Sequence, residues 1–131
     1  MVGIVIVSHS WKIAEGACDL AQSMATEHEK IIPAGGLDDG SLGTDSQRIA
    51  DAIVEADTGD GVVIIPDIGS SILSSEAAIE ILEDEGRNIN AVIADAPLVE
   101  GAFCAAVEAA AGSSIDKVLK EAEEAGHADK I

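Results

Sequence analysis

The chain has 131 residues, with 25 acidic side chains against 7 basic ones and a formal net charge of −18. One Trp, one Phe and no Tyr leave almost nothing to stack on bases. The charge repels both phosphate backbones and anionic bilayers, so nucleic-acid and membrane-surface binding are excluded. Apolar residues make up 47%, enough at this length for one core, so a single domain over residues 1–131 is expected.

Val2 to Val7 is a β-branched run that ends at Ser8, His9 and Ser10. From Trp11 the period changes, and Ile13, Ala17, Leu20, Ala21 and Met24 recur at helical spacing, so this is a βα unit. Lys30 to Ala34 forms a second short strand, and a glycine-rich loop from Gly35 to Gly43 follows. Thr44 with Gln47 predicts a capping box for a helix carrying Ile49, Ala52, Ile53 and Ala56. Val62 to Ile65 reads as a buried strand, and Pro66 to Ser71 as the turn after it. Ile72, Ile79 and Leu82 mark the next helix, which Gly86 ends. Ile89 to Ala94 is a fourth strand, and Pro97 starts a helix reaching Gly112. Ser113 with Asp116 predicts a second capping box, for a last helix through Val118, Leu119 and Ala122, with fraying expected from Ala122 to Ile131. The fold class is therefore α/β: a doubly wound, mainly parallel sheet of at least four strands with helices on both faces.

The acidic residues are spread singly over nearly every segment while the apolar residues lie in blocks, which is a folded pattern and not a disordered one. Such a surface suits a halophilic cytoplasm, where at about 1 M salt the Debye length falls to roughly 3 Å and self-repulsion is screened. An unusually acidic mesophilic protein is the other reading. Cys18 and Cys104 lie far apart with no CxxC pair, so neither zinc nor a disulfide framework is indicated and two small buried thiols are expected. Met1 to Ser10 lacks a basic leader, and no apolar run approaches the roughly 20 residues of a membrane span. The expected location is cytoplasmic.

In open α/β sheets ligands gather beyond the carboxyl ends of the strands. Two polar turns fall at such ends, Ser8-His9-Ser10 and Asp67-Ile68-Gly69-Ser70-Ser71. His9 precedes a helix N-terminus, where free N–H groups favour an anion, and Gly69, Ser70 and Ser71 form a similar turn with hydroxyls to offer. The same residue types serve equally as satisfied polar groups and caps, so the residues alone reach an anion site and go no further. GxGxxG, GxxxxGK and HExxH are all absent, and Asp38-Asp39-Gly40 lacks the other ligands of an EF-hand. His28 and His127 lie among charged residues and are expected in solvent. No metal or cofactor is expected.

Four ordered blocks sharpen this: Val5-Ile6-Val7-Ser8-His9-Ser10, Gly43-Thr44-Asp45, Asp67-Ile68-Gly69-Ser70-Ser71 with Leu73 and Ser74, and Ala96-Pro97-Leu98-Val99-Glu100-Gly101. Together they resemble the DhaM family, the phosphotransferase subunits of the dihydroxyacetone kinase that draws phosphate from phosphoenolpyruvate. That domain is similar to the enzyme IIA of mannose-type sugar phosphotransferase systems, and the block at Pro97 favours DhaM over a sugar-transport enzyme IIA. The likeness extends from about Val2 to Lys117. It implies that His9 is phosphorylated, through Nε2, by the phosphocarrier HPr. Its phosphate then passes to ADP held in the DhaL subunit, while DhaK binds dihydroxyacetone. Asp67 is the carboxylate expected to orient the imidazole, and Ser10, Gly69, Ser70 and Ser71 would donate to the phosphate oxygens. A homodimer is implied as well, and Trp11, Ile68 and Leu98 are expected as docking contacts at the rim, with a core role as the alternative for Ile68 and Leu98. An enzyme IIA for a sugar transporter, or a regulatory module that holds phosphate without passing it on, are the alternatives.

Overall fold

The computed structural model describes residues 1–131. Strands and helices alternate as β1 (Gly3–Ser8), α1 (Trp11–Gln22), β2 (Ile31–Gly35), α2 (Ser46–Ala56), β3 (Val62–Pro66), α3 (Ser70–Asp84), β4 (Ala91–Ile93), α4 (Leu98–Ala110) and α5 (Ile115–Glu124), with a closing 3-10 turn at Ala125–His127. The sheet order is β2-β1-β3-β4, and every neighbouring pair is parallel. The doubly wound sheet expected from the sequence is thus present and parallel throughout.

A parallel strand covered on both faces must be apolar at consecutive positions, and β1 and β3 are buried along their whole length. The pleat divides their side chains between two cores. Val2, Ile4, Ile6, Val63 and Ile65 pack with α1, α4 and α5, while Val5, Val7, Val62 and Ile64 pack with α2 and α3. Small residues let the helices approach closely, as with Ala102, Ala105, Ala106 and Ala109 of α4. A Cβ at Gly3 would drive into the Ala56 carbonyl at the end of α2.

Several local expectations are corrected. The inward row of α1 is Ala14, Ala17, Cys18 and Ala21, whereas Ile13, Leu20 and Met24 stand about half exposed at 52%, 48% and 50%. Close packing selects the alanines over the larger residues beside them. On α3 the inward row is Ser71, Ser75, Ala78 and Leu82, and Ile72 faces outward. Those buried serines remain satisfied, because Ser71 donates to the Ile68 carbonyl at 2.8 Å and Ser75 to the Ser71 carbonyl at 2.7 Å. Each capping residue lies one position later than expected. Asp45, not Thr44, accepts from the amides of Gln47 and Arg48, and Ser114, not Ser113, accepts from Lys117. Ser113 instead donates to Glu108 at 2.7 Å. The fourth strand pairs only over Ala91–Ile93, and Cys104 is half-buried where Cys18 is buried. The end of the chain carries one ion pair, Lys130 to Glu100 at 3.1 Å. No helix is long and apolar enough to cross a membrane.

Candidate active site

The chain runs from β1 outward to β2, then crosses back so that β3 lies on the other side of β1. The loops after β1 and β3 therefore part in opposite directions and leave a crevice at the carboxyl edge of the sheet. His9 directly follows β1, and Asp67 directly follows β3.

Asp67 accepts four hydrogen bonds. Its Oδ2 takes the Ser8 hydroxyl at 2.9 Å and the His9 amide at 3.0 Å. Its Oδ1 takes the Ile68 amide at 2.7 Å and faces His9 Nδ1 at 3.0 Å. Desolvation pushes the carboxyl pKa up, but the His9 and Ile68 amides, the Ser8 hydroxyl and the His9 ring outweigh it and hold it down at about 2. Asp67 is therefore an anion at neutral pH. A carboxylate can only accept, so the proton of the neutral imidazole sits on Nδ1 and the Nε2 lone pair is free. That lone pair accepts from the Ser70 hydroxyl at 2.7 Å.

The remaining walls are backbone. Gly43 donates its amide to the His9 carbonyl at 2.9 Å, and Gly36 donates to Ser8 at 3.3 Å, which ties the glycine-rich loop to the end of β1. Gly69 stands at the N-cap of the 15-residue α3 with φ 41° and no side-chain cap; the Ser71 and Ile72 amides turn to the Ile68 and Gly69 carbonyls at 3.0 and 3.1 Å, which sets Ser70 at the positive end of the helix beside His9. This is an anion-favouring end. His9 is 27% exposed and Asp67 16%. The His9 ring thus reaches solvent while the carboxylate on its Nδ1 is mostly covered.

The structure brings His9, Asp67, Gly69 and Ser70 together. Ser71 is spent elsewhere, whereas the Ser10 hydroxyl acts as an acceptor and keeps its own proton. Ser10 accepts from Ile13 at 3.3 Å as the cap of α1, and both the amide and the hydroxyl of Ser71 go to the Ile68 carbonyl. The sequence reading gave no role to Ser8, which is fully buried, donates to Asp67 and accepts from the Ser10 amide at 3.1 Å. The available signal was its parity, since Ile4, Ile6 and Ser8 share one side of the strand and a polar residue there demands a partner. Trp11 and Ile68 are exposed at 41% and 69%, whereas Leu98 packs against the core. Lys12 and Arg48 line a groove of about 520 Å³ beside Ser10 and Trp11.

A half-buried histidine whose tautomer is fixed by a mostly covered carboxylate, beside a helix N-terminus without a side-chain cap, is equipped to hold a phosphoryl group on Nε2. Residues 3–119 match the EIIA-man family, described as the PTS system fructose IIA component. The phosphoryl donor subunit DhaM of PEP-dependent dihydroxyacetone kinase 2 from Listeria innocua is 45% identical, over 92% of this chain and 96% of the relative. The DhaM subunit of Escherichia coli is 42% identical over 93% of this chain, which spans only 26% of that longer protein. A crystal structure of EF1359, a protein of unknown function, superposes with a TM-score of 0.82 at 40% identity, covering 95% of each chain. The dihydroxyacetone kinase of C. freundii, at 16% identity and a TM-score of 0.67, shares the fold alone. The chain belongs to the EIIA-man family and, within it, to the DhaM phosphoryl donor subunits of PEP-dependent dihydroxyacetone kinase. It is a phosphotransferase subunit.

Proposed function

We propose that the chain works as a single enzyme IIA-like domain that carries phosphate on His9 Nε2. It takes the group from HPr and delivers it to ADP held in DhaL, while DhaK binds dihydroxyacetone. The observation that carries this reading is the Asp67–His9–Ser70 line, with Nδ1 held at 3.0 Å and Nε2 at 2.7 Å. In the loading step the N–P bond of the donor phosphohistidine breaks as a new N–P bond forms on Nε2. The bond type is unchanged, so the protein's work is positioning and charge stabilisation. Asp67 stabilises the ring as it becomes cationic, and the Gly69 and Ser70 end of α3 receives the phosphoryl oxygens. In the delivery step the bond to Nε2 breaks and an ADP oxygen takes the group.

The partners would meet an apolar rim. Leu42, Ile68 and Leu73 are 74%, 69% and 67% exposed, and they lie on the loops and the helix that frame His9. In a chain of net charge −18 these residues favour short-range contact over long-range steering. A cytoplasmic, halophilic setting and a homodimer belong to the same proposal.

The test is phosphate transfer in high-salt buffer from phosphoenolpyruvate, enzyme I and HPr, with His9→Ala as control and DhaL bearing ADP added last. Acid-labile phosphate on the native chain alone, discharged only by DhaL with ADP, is the expected result. Uptake without that discharge would assign the chain to sugar transport or regulation instead, and absence of uptake would refute the carrier role. Sedimentation velocity in the same buffer reads the oligomeric state, with a dimer expected.

A further inference from the structure

Thr44 was expected to cap α2, but Asp45 holds that position and leaves the Thr44 side chain free for another use. Its Oγ1 lies 2.7 Å from the Ser74 hydroxyl, a half-buried contact that joins residues 30 positions apart. Each partner belongs to a wall of the His9 site. Thr44 follows Gly43, whose amide holds the His9 carbonyl at 2.9 Å. Ser74 stands on α3 four residues after Ser70, whose hydroxyl donates to His9 Nε2 at 2.7 Å. Residues four apart on a helix share one face, with Cβ atoms about 5–6 Å apart.

Counting protons shows what the pair lacks. Two hydroxyls bring two donors, and their mutual bond uses one. The second O–H has no protein acceptor, although both residues are half-buried. When Nε2 becomes bonded to phosphorus it can no longer accept from Ser70. That hydroxyl must then turn to a phosphoryl oxygen, and the Thr44–Ser74 pair, anchored one helical turn further along the same face of α3, has one spare O–H to offer beside it.

We propose that Thr44 and Ser74 form a second phosphoryl-binding hydroxyl pair, donating to the group carried on His9 Nε2 and clasping the glycine-rich loop to α3 around it. This rests on the carrier reading above. It adds two phosphoryl-binding residues beyond Gly69 and Ser70 and gives the Gly43-Thr44-Asp45 block a chemical role.

The experiment needs no partner protein. Phosphoramidate phosphorylates imidazoles directly, as its own P–N bond breaks, the Nε2–P bond forms and ammonia leaves. Phosphorus NMR follows the gain of phosphohistidine and, after removal of the reagent, its hydrolysis. Wild type, His9→Ala, Thr44→Val, Thr44→Ser and Ser74→Ala are compared, with thermal melting to verify folding. Thr44→Val and Ser74→Ala are expected to acquire phosphate roughly tenfold more slowly than wild type, because a charge-assisted hydrogen bond is lost. Thr44→Ser, which keeps the hydroxyl, is expected to match wild type. Unchanged rates in Thr44→Val and Ser74→Ala, or equal impairment of Thr44→Ser and Thr44→Val, would overturn the proposal. A wild-type chain that takes no phosphate on His9 overturns the carrier reading itself, so the two failures are told apart.

Discussion

At the scale of single residues, Asp67 couples chemistry to stability. Its folded pKa of about 2 lies below the ordinary carboxylate value. The stabilisation it provides is therefore complete above the unfolded value and is lost as pH falls toward 2. Asp67→Asn should slow phosphorylation of His9 by about 100-fold through misplacement of the ring. Its urea midpoint should fall below wild type at pH 6 and converge with it near pH 2. Glu29 has the opposite sign. It is 4% exposed, neither of its carboxylate oxygens has a partner, and burial pushes its pKa up to about 7. The stability it provides is present below the unfolded value and is lost as pH rises through 7. Glu29→Gln should therefore raise the melting temperature at pH 8 and leave it nearly unchanged at pH 4. His9 and Asp67 were legible in the sequence because each is a polar residue terminating a solidly apolar strand. The Thr44–Ser74 contact was not, because nothing local announces a pairing across 30 residues.

At the scale of elements, two glycines separate packing from backbone conformation. A methyl at Gly3 meets the Ala56 carbonyl, so Gly3→Ala should cost about 1–3 kcal/mol by overpacking and lower the melting temperature with little effect on the site. Gly69 has open space around it but a φ of 41°, so Gly69→Ala should cost about 1 kcal/mol through conformation alone. That variant should also slow phosphorylation, because it disturbs the turn that presents Ser70. Alternation of elements and strand identity were readable, since apolar blocks between turn residues leave few choices. Helix faces were read less well. In α1 and α3 the residues that fit the close approach to neighbouring elements are Ala and Ser, and the larger Ile13, Leu20 and Ile72 beside them attract the eye. Cap positions slipped by one because Thr44-Asp45 and Ser113-Ser114 each offer two capping side chains in succession.

At the scale of the whole molecule, a net charge of −18 on 131 residues is a repulsive load that dissolved salt relieves. The melting temperature should rise as potassium chloride increases from about 0.1 to 1 M, and differential scanning fluorimetry with an extrinsic dye can follow it. Docking through an apolar rim should survive that salt, because burial of apolar surface is not screened. Leu73→Asp should weaken phosphorylation by the protein donor while leaving phosphoramidate labelling intact. A variant impaired with both reagents would place Leu73 in the site's own architecture instead.

The crossing between β1 and β3 has a consequence for how the molecule is made. The histidine and the carboxylate that holds its Nδ1 are separated by 58 positions and meet only when the two central strands lie side by side. During synthesis His9 emerges ahead of Asp67, and no carboxylate fixes the tautomer of its ring until the third strand has been translated and docked. The oriented imidazole thus arrives with the inner ladder of the sheet, so the site is a product of the finished fold and is held by no local segment alone.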